Sequence, residues 1–86
     1  MILSLHQRAA EVRSREDFAP FLREILEDLK EHPNEWENRT LADFLEAWAA
    51  WVHDMPGWYA NRGQGIPDQP DWNLLAGMVM AARVYE

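Results

Sequence analysis

Three histidines, His6, His32 and His53, are the first residues to question for chemistry. None stands four residues from another, and no His-Glu-x-x-His or Glu-x-x-His run occurs. The spacing that sets two metal ligands on one helical face is therefore missing. Cysteine is absent, which removes thiolate nucleophiles and sulfur-ligated zinc or iron–sulfur sites. No metal and no other cofactor is expected. His53 and Asp54 are neighbours in the chain, but adjacent residues on a helix diverge by about 100° and are not expected to face each other. His53 reads as a solvated residue near a helix C-terminus, where positive charge is mildly favoured.

The serines are Ser4 and Ser14, and neither lies in Gly-x-Ser-x-Gly. Gly63-Gln64-Gly65 lacks the spacing and the lysine of a phosphate-binding loop and follows no strand pattern. Glu24, Glu27, Asp28 and Glu31, interleaved with Arg23 and Lys30, read as an exposed helical face with ion pairs. Nothing there fixes two carboxylates at a working separation. The expectation is that the chain is not an enzyme.

Aromatic residues are the stronger signal: five Trp, three Phe and two Tyr in 86 residues. Trp48, Trp51, Trp58 and Tyr59 crowd one stretch that ends at Gly63. Trp48 falls on an apolar stripe and reads as core. Trp51, Trp58, Tyr59, Asn61 and Arg62 form the candidate binding set, because aromatics with Arg and Asn beside a loop are enriched at contact surfaces. The competing view is that Trp58 and Tyr59 close the core against Trp72 and Tyr85. Trp36-Glu37-Asn38 reads as a lid, with Trp36 plugging one end of the fold and Asn38 satisfying nearby backbone groups.

Helical periodicity must position these residues. Residues 2–12 form a short helix with Leu3, Leu5, Ala9 and Val12 inward. Ser14-Arg15-Glu16-Asp17 opens a second by a capping box. Its stripe is Phe18, Phe21, Leu22, Ile25, Leu26 and Leu29. One helical turn around Glu35–Glu37 interrupts the connector. Thr40-Leu41-Ala42-Asp43 opens a third helix with a second box of the same kind, and its stripe is Leu41, Phe44, Leu45, Trp48, Val52 and Met55. Pro56-Gly57 breaks or bends it, and Trp58 to Asn61 continue as a short helix that Gly63 stops. Residues 63–71 are a loop. Asp71 caps a last helix that runs to the chain end, with Trp72, Leu75, Val79 and Ala82 on one line and Leu74, Met78 and Tyr85 beside it. No segment alternates with period two. The expected fold is all-α, a single domain over 1–86, built as a compact bundle of three main helices plus one or two short ones.

Several of these runs carry a resemblance. They are Asp17-Phe18 with Phe21-Leu22, Trp36-Glu37-Asn38 with Thr40-Leu41, and Asp43-Phe44-Leu45-Glu46. Trp51-Val52, Asp54-Met55, Gly57, Tyr59 and Asn61 follow, and the tail adds Trp72, Ala81-Ala82 and Tyr85-Glu86. Residues from about 15 to 86 resemble a family of small bacterial proteins of uncharacterised function. The resemblance implies a bacterial, cytoplasmic, stand-alone domain and brings no activity. Trp58, where the family more usually has tyrosine, and Pro56 depart from its pattern.

Charge narrows the partners. The formal net charge is −7, which repels nucleic acid backbones, and the acids flanking Arg8, Arg13, Arg15 and Arg23 argue against a basic patch. No run reaches the length of a membrane span, and the N-terminus lacks a signal-peptide pattern. The chain reads as a non-enzymatic protein-interaction module or homo-oligomer. The alternatives are a small-ligand domain with an aromatic pocket and an immunity- or antitoxin-like inhibitor of a basic toxin.

Overall fold

The computed structural model describes residues 4–86, and every described element is helical. Helix α1 spans Leu5–Glu11, α2 Arg15–Glu31, α3 Leu41–Asn61 and α4 Trp72–Ala82, with a 3₁₀ turn at Pro33–Glu35. Expected residues 2 and 3 of the first helix, including Leu3, lie outside the described residues.

Side-chain oxygens open the helices. Ser4 accepts from the Gln7 amide while Gln7 accepts from the Ser4 amide, a complete capping box that the sequence reading did not identify. Ser14 accepts from Asp17 N–H, Thr40 from Asp43 N–H and Asp71 from Leu74 N–H. The Asp17 carboxylate accepts from Arg13 N–H rather than Ser14 N–H, tying down the α1–α2 connector.

Helix α4 is the axis. It packs against α1, α2 and α3, and Ala76, Met78, Val79, Met80 and Ala82 are buried on it. Phe21 and Ile25 of α2, Ala9 and Val12 from the α1 end, and Trp36 complete the central cluster, with Phe44 and Trp48 packed against it. Trp36 is 4% exposed and stacks on Phe44 at 5.9 Å. The connector turn falls at Pro33–Glu35 rather than Glu35–Glu37, because proline fits the first position of a helical turn.

Three expectations are corrected. Pro56 neither breaks α3 nor detaches Trp58–Asn61, which form its last turn. A proline costs an interior helix one N–H bond, here to the Val52 carbonyl. Pro56 and Val52 both face outward, so water can serve that carbonyl while Met55 stays buried beneath. Gly63 does stop the helix: it adopts φ 68°, its N–H reaches Ala60 O, and Gln64 N–H reaches Tyr59 O. Second, α4 ends at Ala82 instead of running to the chain end. Asn38 Nδ2 donates to Ala82 O and Tyr85 O, and the Glu37 and Asn38 amides donate to Arg83 O. Captured carbonyls turn the tail aside, and Tyr85 leaves the helical line. Third, the apolar stripes are wider than their contacts. Leu22 and Leu26 on α2 are exposed, as are Leu41, Leu45 and Val52 on α3. Among the described helices α3 packs on α4 alone, so only one side of its stripe is covered.

Candidate functional site

The C-terminal half of α3 holds its aromatics against α4 through helical spacing. Trp51 and Trp58 are seven residues apart, two turns along one side, with ring centroids 6.5 Å apart. Tyr59 meets Trp58 edge-on at 4.9 Å. Arg62 lies one turn further, its guanidinium carbon 3.8 Å from the Trp58 ring centre. Trp58 is 40% exposed, so this cation–π contact sits at the surface.

These rings border a groove of about 690 Å³ between α1, α4, the end of α3 and the loop that follows it. Trp51, Trp58 and Tyr59 line one side, while Ala10, Gly77 and Ala81 offer small residues opposite. A Cβ built on Gly77 meets nothing within 4 Å. The groove is therefore open down to the α4 backbone.

Two polar groups at the groove edge, Asp71 and Asn73, are already committed. Asp71 holds Leu74 N–H at 2.7 Å. The Asn73 amide is shared among the Ala9, Ala10 and Val12 carbonyls at 3.1–3.2 Å, closing the end of α1. His6 lines the groove as well. Apolar and aromatic side chains make up most of the lining.

Of the five candidate residues, the structure brings Trp51, Trp58 and Tyr59 together on this groove. Asn61 lies on a smaller hollow of about 330 Å³ across Trp58, with Asp54 and Tyr85. Arg62 covers the Trp58 face. Trp72, one supposed partner of Trp58 and Tyr59, packs on Phe18 at 5.5 Å instead.

Two polar clusters were not foreseen. His53 Nδ1 lies 3.1 Å from Asp54 Oδ1, correcting the expectation that these neighbours would not face each other. The backbone directions diverge, yet a short carboxylate can swing back to an adjacent ring. The Tyr85 hydroxyl donates to the other Asp54 oxygen. That bond, with His53 second, holds the Asp54 carboxyl below its ordinary range, and the carboxylate raises the Tyr85 hydroxyl.

The second cluster centres on Asp28, whose Oδ2 accepts from the Trp36 indole at 2.8 Å and from Arg83 at 3.2 Å. Asp28, His32 and Glu35 place potential ligand atoms within 4.8 Å of one another, a spacing that a search keyed to paired histidines passes over. Arg83 already supplies the positive charge there. The cluster therefore works as a strut joining α2, the Trp36 connector and α4. Asp28, His32, Glu35 and Trp36 are close in the sequence, but nothing local announces Arg83, which comes from the C-terminal end of α4.

Comparison with curated proteins and with solved structures yields no match. No helix among the described residues is long and apolar enough to cross a membrane. The runs that set the Asp28–Trp36 strut, the Asn38 clamp and the Trp51–Tyr59 wall all fall within residues 14–86, which match the family of unknown function DUF7660, and the chain belongs to that family.

Proposed function

We propose that this protein is a non-enzymatic binding module whose aromatic groove receives an apolar segment of a protein partner. The observation that carries this reading is the groove floor at Gly77. A glycine inside an exposed helical turn costs roughly 1 kcal/mol relative to alanine. Tight packing would explain it, but no atom lies where a Cβ would sit. The missing side chain keeps space open between α4 and the rings of Trp51, Trp58 and Tyr59. An apolar side chain entering there is buried against aromatic faces, the arrangement that makes anchoring positions strong.

The volume also supports a second reading, a small-ligand pocket, since such pockets hold roughly 300–1,000 Å³. The test is affinity capture from the source organism's lysate with wild-type protein and Gly77→Phe, whose ring extends from an exposed position into the groove. Under the proposal, one protein is retained by the wild type and lost by Gly77→Phe at unchanged helicity. If both retain the same proteins, the groove is not the contact. If neither retains any while a small molecule raises the wild-type Tm alone, the small-ligand reading replaces it.

A further inference from the structure

Helix α3 carries a second surface, on the flank that α4 leaves uncovered. Leu41, Leu45, Ala49, Val52 and Pro56 follow one another at four-, four-, three- and four-residue steps, which places them along one face. All five are exposed, with Leu41 at 74%, Leu45 at 51% and Val52 at 43%. The charged or titratable residues of α3 are Asp43, Glu46, His53, Asp54 and Tyr59; the three acids and His53 fall outside this face, and Tyr59 continues its line beyond Pro56. A chain of net charge −7 thus presents an uncharged, largely aliphatic strip along a 21-residue helix.

We infer that this face is where two copies of the chain pair, with their α3 helices antiparallel and crossing at Ala49. Two observations select a second copy over another occupant. The first is charge. Two chains of −7 repel wherever their acids meet, and this strip is a face along which they approach without doing so. The second is the rim. Glu46 and His53 border the same edge of the strip, and they are equidistant from the point between Ala49 and Ala50. A two-fold axis through that point sets Glu46 of one copy beside His53 of the other, twice. The same axis sets Ala49 against its own equivalent, letting the backbones approach, and lays Leu41 over the far end of the opposite helix.

The strip sets the strength. A helix of 21 residues is about 31 Å long and 10–12 Å across, so a third to a half of its flank is roughly 350–550 Å² per copy. The pair then buries roughly 700–1,100 Å², below the standard interface, and the dimer is weak and reversible.

Sedimentation velocity from about 10 µM to 1 mM tests this by mass action. The expected result is a weight-average mass rising from 10.1 kDa towards twice that value. Ala49→Glu brings two carboxylates together at the axis and should weaken pairing at least about tenfold. Its helicity, read by circular dichroism, should stay unchanged because the position is exposed. As a second variant, Ala49→Cys introduces one thiol into a chain that has none. A short bis-maleimide should join it to its own copy, while Asp43→Cys, on another side of α3, should stay single. A constant 10.1 kDa mass across the range, or pairing that Ala49→Glu leaves intact, overturns the proposal.

Discussion

Replacing Gly77 by alanine isolates the price α4 accepts for its open groove. Gly77 lies near the middle of Trp72–Ala82 and is not among the positive-φ glycines, so alanine adopts its conformation without strain. The new methyl meets nothing within 4 Å, so no packing is gained and none is disturbed. What remains is the helix-propensity difference, about 0.8–1.0 kcal/mol in favour of alanine. For a chain of 86 residues this corresponds to a rise in Tm of roughly 4–8 °C per kcal/mol. Urea unfolding followed by tryptophan fluorescence gives the value directly, with an unchanged m confirming that the unfolded state is not responsible. A destabilised Gly77→Ala protein would refute the reasoning, because it would mean that the space beside Gly77 is filled. A more stable protein that also binds its partner less tightly would tie the two properties to one missing carbon.

Gly63→Ala should cost about 1 kcal/mol in the same assay, since φ 68° forces Cβ against the following carbonyl. Asn38→Ala removes the side-chain donor to Ala82 O and Tyr85 O and should destabilise by about 1–3 kcal/mol, loosening the chain end first. The Asp54–Tyr85 bond has a two-sided pH signature. Asp54 is lowered in the fold, so its stabilisation is full above its unfolded pKa and fades as pH falls through the folded one. Tyr85 is raised, so its share is full below pH 10.0 and fades as pH rises through the folded value. Ultraviolet titration should show Tyr85 ionising at lower pH in Asp54→Asn than in wild type.

Features written into neighbouring residues were legible in the sequence. Ser14, Thr40 and Asp71 cap as read because an N-cap needs only the next turn. Trp36 is the buried plug and Asn38 the backbone clamp that their types suggested. Periodicity found the stripes of α2 and α3 but could not say how far around the helix a neighbour reaches, so Leu41, Leu45 and Val52 were placed inside. Pro56 suggests a break or a bend because its local cost is real, whereas the packing of Trp51 and Met55 that carries α3 past it is tertiary. The aromatic wall could be suspected from composition. The space in front of it could not, because it depends on Gly77 and Ala10 from two other helices.

Asn73 stands at the start of α4, yet its amide closes the end of α1. Helix α1 is too short to persist alone in water, and the Asn73 amide that gathers its last carbonyls is in place only while α4 is formed. Loss of α4 therefore releases α1 in the same event, and the two share one opening reaction despite lying at opposite ends of the chain. The α1 amides, although they precede the region matched by the family, should therefore exchange together with those of α4, as one unit. A nick in the loop between α3 and α4 would leave that unit assembled, held by a side chain on one fragment and a backbone on the other.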